Sequence, residues 1–256
     1  MHPLPKIKTN PHSHSRSGRL RNFFLAIGAC LPSQAALALT VALDVGHSLA
    51  YPGAVSARGI PEFQFNLALA DTVKPVLERL GFTVLMIGDH GEMTDLRVRT
   101  RSAKNADFFL SLHHDSVQPQ YLSWWSPEGK RQAYSDLFSG FSLFVSRANP
   151  QPKTSLLCAS QIGESLRHRG FTPTDHHAEA VRGENRQFAD WLNGAYYFDD
   201  LLVLKTAVQP AVLLESGIIV NRADELKLQD AATRNTIAEA VGDALLNCLR
   251  PAASSK

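Results

Sequence analysis

From residue 40 onward, short apolar runs alternate with longer stretches in which apolar residues recur every three or four positions. Residues 41–45, 82–87, 108–112, 201–204 and 211–214 are runs of strand length, bounded by glycine or polar residues, and they predict buried strands. After the first run, Phe63, Leu67, Ala70, Val73, Leu77 and Leu80 keep helical spacing until Gly81. Pro61 stands where a first-turn proline is tolerated, and Pro75 inside the pattern is expected to bend the helix. Residues 96–106 predict an arginine-rich helix. Residues 155–169 predict another, with Leu156, Ala159, Ile162 and Leu166 inward and Gly170 as its stop. Residues 223–249 read as mostly helix. Strand and helix alternating with short connections predicts an α/β fold with a largely parallel sheet.

Residues 116–200 resist this reading. Residues 119–130, with Trp124 and Trp125, suit a loop or a hairpin, and residues 134–145 are apolar but split by Gly140, so strand and helix both stay open. Residues 171–198 are polar, lack a period and hold His176, His177, Glu179, Glu184 and Trp191. A stretch this long between core elements is usually functional or mobile.

At 256 residues the chain suits one sizeable domain, and 44% hydrophobic with 20% charged residues is ordinary for a globular protein. The formal net charge of +2 conceals an asymmetry: residues 1–38 hold Lys6, Lys8, Arg16, Arg19 and Arg21 and no acid. The remainder carries 21 basic and 24 acidic residues, a net of −3. The basic balance therefore belongs to the N-terminal segment, and no nucleic-acid partner is expected. That segment reads as a secretory leader: a basic region, an apolar run at residues 23–31 and the small-x-small pattern Ala36-Leu-Ala38. The apolar run is too short for a permanent transmembrane anchor. Ile27-Gly-Ala-Cys30 resembles a lipobox, a less favoured route to lipid anchoring. Cys158 and Cys248 both fall at apolar helical positions and read as separately buried thiols rather than a pair.

Three of the apolar runs are followed by side chains that bind metals or move protons: His47, His113 and Glu215. Sites in α/β proteins form just beyond the C-terminal ends of strands. Hydrolytic zinc centres take three ligands from His, Glu or Asp and leave a position for water, a set that His47, Glu62 and His113 would supply. Glu62 also suits a plain role at a helix N-terminus, where the dipole favours a carboxylate. Glu215, emerging from a buried strand, would have its pKa raised into the range of a general acid or base. Arg97, Arg99 and Arg101 read as a solvated helix face, with contact to an acidic substrate the alternative. Spacing alone leaves satisfied core histidines as the default.

The ordered segments Asp44-Val-Gly-His47, Gly53-Ala54, Glu62, Ser111-Leu-His113 and Pro210-Ala-Val-Leu-Leu-Glu215-Ser-Gly217, with Asn221 following, resemble the zinc-dependent N-acetylmuramoyl-L-alanine amidases of the amidase-3 family. The resemblance covers residues 40–249. It implies a single α/β domain with a twisted mixed, mostly parallel sheet flanked by helices. It also implies one Zn2+ held by His47, Glu62 and His113, Glu215 as the catalytic carboxylate, and Asp44 as a support for the His47 corner. His114 is adjacent to His113, but strand alternation sends the two apart, and the motif selects His113. Residues 1–38 are then the leader and residues 39–256 the catalytic domain of an exported, periplasmic or otherwise extracytoplasmic enzyme acting on peptidoglycan muropeptides. Val45 and Ser48 depart from the family's usual proline and glycine. In some relatives an inserted helix covers the metal until an activator protein displaces it; residues 171–198 are either such a cover or a cleft wall. Two other readings stand beside the amidase: a non-catalytic wall-binding or activator protein of the same fold, and a zinc peptidase acting on the stem peptide.

Overall fold

A computed structural model describes residues 38–250, so the leader up to residue 37, including Cys30, lies outside the described residues. In chain order the elements are β1 (Thr40–Val45), α1 (Glu62–Arg79), β2 (Thr83–Ile87), α2 (Leu96–Ser102), β3 (Phe108–Asp115), β4 (Ser123–Trp125), β5 (Gln132–Tyr134) and β6 (Ser142–Val145). There follow α3 (Pro152–His168), β7 (Phe188–Asp190), β8 (Ala195–Tyr197), α4 (Leu202–Thr206), β9 (Ala211–Ile218), α5 (Arg222–Gln229) and α6 (Ala231–Leu249).

Seven strands form one mixed sheet in the order β2-β1-β3-β9-β6-β8-β7. Strands β2, β1, β3 and β9 run parallel, β6 is antiparallel to β9, β8 is parallel to β6, and β7 returns antiparallel to β8. Both faces are buried, which is why the central strands read as continuous apolar runs rather than alternating ones. On one face Val41, Leu43, Leu110, Leu112, Val212 and Leu214 pack against the long helices α1, α3 and α6. On the other, Ala42, Phe109 and Leu213 meet Val203 and Leu204 of α4. The second face is covered by short helices only, leaving room for a cleft at its edge. Register levels the strand ends: Val45 lies beside Leu112, and His113 beside Glu215.

Several expectations change. Residues 201–204 form the start of helix α4 rather than a strand; a four-residue apolar run suits either, and here Val203 and Leu204 cap the second sheet face. Pro61 caps α1 instead of occupying its first turn. Pro75 sits within a helix that runs unbroken through it, on the exposed side, where water can serve the carbonyl it leaves unpaired. Residues 134–145 divide into the ends of two strands around Gly140. Gly140 has φ +104°, and a Cβ there would lie 2.2 Å from the Thr172 carbonyl oxygen. Residues 119–134 hold a β4–β5 hairpin apart from the main sheet.

Cys158 and Cys248 are joined in a disulfide, with Cα atoms 5.2 Å apart, overturning the reading of two separate thiols. Their positions on α3 and α6 are apolar and buried as expected; periodicity does not reveal that both face the seam between those helices. The bridge closes a loop with a sequence separation of 90. Replacing both cysteines by alanine is expected to lower unfolding free energy by roughly 2–5 kcal/mol, measured by urea denaturation. Added reductant should give no further loss in that variant.

Candidate active site

The parallel strand β1 stops at Val45, and the chain turns through Gly46, whose N–H donates to Leu112 O at 3.0 Å. Only glycine fits here, because an added Cβ would lie 2.3 Å from Nε2 of the His113 ring. His47 follows with φ +69°, a left-handed conformation uncommon for a residue with a side chain. The loop then passes through Gly53, where a Cβ would sit 2.4 Å from Glu62 Oε2. Pro61 holds an extended backbone as the cap of α1, so Glu62 becomes the first helical residue.

Three side chains from β1, α1 and β3 converge. Glu62 Oε2 lies 2.9 Å from His47 Nε2, and Glu62 Oε1 lies 3.0 Å from His113 Nδ1. The two rings are 4.9 Å apart and nearly perpendicular. The available donor atoms of His47, Glu62 and His113 all fall within 4.8 Å of one another. Around them, Ala54 N–H donates to Glu62 Oε2 at 3.1 Å, and Asn66 Nδ2 donates to Glu62 Oε1 at 3.2 Å. Burial alone would push the Glu62 carboxyl up, but its hydrogen bonds to His113 and His47 hold it well below the usual carboxylate range. Two imidazoles and an ionised carboxylate are a donor set suited to a divalent transition metal.

His114 does not join them. It is buried on the opposite side of β3, packs on Phe65 and pairs through Nδ1 with Asn66 Oδ1 at 2.8 Å. Glu215 lies beside His113 in the β3–β9 register, and its Oε2 is enclosed without a hydrogen-bond partner among the described residues. Burial, then the nearby Asp115 and Glu62 carboxylates, raise its pKa well above the ordinary value. A cavity of about 350 Å³ opens next to His47 and His113, with Tyr51, Met93, Leu201, Val203 and Leu213 among its mostly apolar walls.

Asp44 is buried on β1, where it accepts hydrogen bonds from Arg99 Nη1 at 2.7 Å and Ser111 Oγ at 2.7 Å. Arg99 also donates to the carbonyls of Val45 and Met93, at 2.6 and 2.7 Å, and to that of His47. Asp44 thus supports the His47 turn through Arg99. The reading of Arg99 as part of a solvated face is corrected: it is fully buried, while Arg97 and Arg101 are exposed. Helical geometry held the signal, since 97 and 101 share a face and 99 points away from it.

Residues 171–198 carry a short 3-10 turn at His176–Ala178 and the strands β7 and β8, which extend the sheet beyond β6. They hold no α-helix, so this stretch is not the covering helix considered above.

Residues 41–247 match the model of the family described as N-acetylmuramoyl-L-alanine amidase, amidase-3 type. The chain belongs to that family. It is 25% identical over 213 residues to N-acetylmuramoyl-L-alanine amidase LytC of Bacillus subtilis, covering 82% of this chain and 36% of the relative. It is 25% identical over 249 residues to a probable N-acetylmuramoyl-L-alanine amidase AmiB of Haemophilus influenzae, covering 88% of this chain and 55% of the relative. The chain therefore spans about a third to a half of the length of these curated relatives. Among solved structures, the amidase Ami1 of Mycobacterium smegmatis superposes with a TM-score of 0.66 at 20% identity, over 83% of this chain and 98% of that one. The fold is thus that of the amidases.

Replacing Arg99 by alanine leaves the Asp44 carboxylate buried and unpaired, and is expected to cost about 3–5 kcal/mol of stability, read from urea denaturation. In an Asp44→Ala background the same change should cost much less, because the stranded charge is gone.

Proposed function

We propose that the chain is an exported zinc-dependent amidase that hydrolyses the amide between N-acetylmuramic acid and the L-alanine of the peptidoglycan stem peptide. The observation that carries this reading is the convergence of His47, Glu62 and His113 within 4.8 Å, with Glu215 the register partner of His113 on the neighbouring strand. The residues fit the metal. Three donors of the right types meet where Gly46 and Gly53 leave space that any Cβ would fill. Bound there, zinc lowers the pKa of its water toward ~7 and polarises a carbonyl.

The protein's own groups supply the rest. The Asp44–Arg99 pair and the Asn66 amide fix the turn and the carboxylate that orient the ligands. Glu215, whose enclosed Oε2 and raised pKa suit a general acid and base, takes a proton from the attacking water and returns it to the departing amide nitrogen. The cavity beside His47 provides apolar and aromatic surface for the parts of the muropeptide next to the scissile bond.

Export is supported by the Cys158–Cys248 disulfide, since such bridges persist in oxidising compartments. Residues 1–38 serve as the leader and residues 39–256 as the catalytic domain. No helix among the described residues is long and apolar enough to cross a membrane.

Glu215→Gln is expected to keep its zinc and to lose roughly 10²–10⁴-fold in turnover, measured by digestion of purified peptidoglycan with mass spectrometry of the products. Full activity in that variant would overturn the assignment. Chelation should abolish wild-type digestion and added zinc restore it. Products cut within the stem peptide, rather than at its junction with the sugar, would assign a peptidase instead.

A further inference from the structure

A second group of donors lies two residues further along β3. Asp115 Oδ2 is 2.8 Å from His177 Nε2 and 3.4 Å from His176 Nε2, and the donor atoms of these three residues again fall within 4.8 Å of one another. Both imidazoles are held from behind: His177 Nδ1 pairs with Glu184 Oε2 at 2.9 Å, and His176 Nδ1 with Thr174 Oγ1 at 2.9 Å. Their walls are aromatic, with Phe138 against His176 and Phe144 against His177.

An ordinary ion-pair network accounts for His177, whose nitrogens both have carboxylate partners. It does not account for His176. That side chain is 1% exposed, yet its Nε2 has no hydrogen-bond partner among the described residues, although it points at a carboxylate. Buried polar atoms are normally satisfied. Anchoring Nδ1 while Nε2 converges on an oxygen donor is how proteins orient metal-binding histidines. The 3.4 Å between His176 Nε2 and Asp115 Oδ2 also equals the separation of about 3.4 Å between tetrahedral ligands on bonds of ~2.1 Å. Glu179, three residues on, also has an enclosed oxygen, Oε2, without a partner among the described residues.

We propose that Asp115, His176 and His177 form a second divalent-cation site, of the zinc class, distinct from His47, Glu62 and His113. The cation replaces the hydrogen bond between His177 and Asp115 and ties the irregular segment 171–198 to the end of β3. Two imidazoles and a carboxylate suit zinc and neighbouring first-row metals. The assignment is independent of the amidase reading, because it uses none of the residues that reading requires.

Zinc bound per chain, measured by elemental analysis of the full chain after zinc loading and dialysis, is the test. The wild type should hold two equivalents. His47→Ala/His113→Ala should hold one, as should His176→Gln and Asp115→Asn, and the combination of all four changes none. In the His47→Ala/His113→Ala background, zinc should raise the melting temperature, and adding His176→Gln should remove that rise. Circular dichroism of the metal-free variants identifies any that fail to fold. No zinc in a folded His47→Ala/His113→Ala protein, or a zinc content in a folded His176→Gln protein equal to that of the wild type, overturns the proposal whatever the digestion assay shows. A wild type with two equivalents but no amidase activity would instead sink the functional reading and leave this site standing.

Discussion

The arrangement depends on one buried carboxylate shared by two imidazoles. Glu62 is removed from water, which by itself disfavours its charge, and it stays ionised because His47, His113, the Ala54 N–H and Asn66 all address it. Those partners arrive from the end of β1, the loop after it, the first turns of α1 and the end of β3. The site therefore exists only in one register of one sheet. A slip of one residue between β1 and β3 would present His114 where His113 stands and send the proper ligand to the helix-covered face.

That register is protected by chemistry on the strands themselves. Asp44 and Ser111 are register partners, and their side chains are hydrogen-bonded to each other within the sheet face that α2 covers. Arg99 then clamps Asp44 and the backbone just past it with three hydrogen bonds, and donates a fourth to the Met93 carbonyl. A charge pair this buried adds little net stability over an apolar one, so its value lies in geometry. The guanidinium fork reads carbonyls that only the correct turn presents, including that of the strained His47. A lysine, with a single ammonium head, would not span the same acceptors.

The sheet core and the residues at its edge were readable because each announces itself locally. Apolar runs mark the strands, and His47, His113 and Glu215 stand where runs stop; Glu62 stands where a helix starts. What was not readable depends on which faces meet. The Cys158–Cys248 pair, the inward turn of Arg99 and the choice of helix for residues 202–206 are set by neighbours distant in sequence. The same holds for His176 and His177. They lie in a stretch without periodicity, and the pairings of β8 with β6 and of Pro173 with Phe141 bring that stretch back toward Asp115. Their residue types were noticed, but no pattern in the chain pairs them with a strand end sixty residues earlier.

His113 and His114 show how far environment decides the use of a residue type. His113 keeps partial exposure and faces Glu62. Burial drives the pKa of His114 down to about 3, so its ring is neutral. The Asn66 amide oxygen can only accept, which places the His114 proton on Nδ1. That bond fixes the amide so that its NH2 points at Glu62 Oε1 and the Gly46 carbonyl. A neutral histidine thereby orients the charged centre without adding charge to it. An imidazolium at this point would compete for the Glu62 carboxylate; a buried, neutral ring fixes the Asn66 amide that donates to it instead.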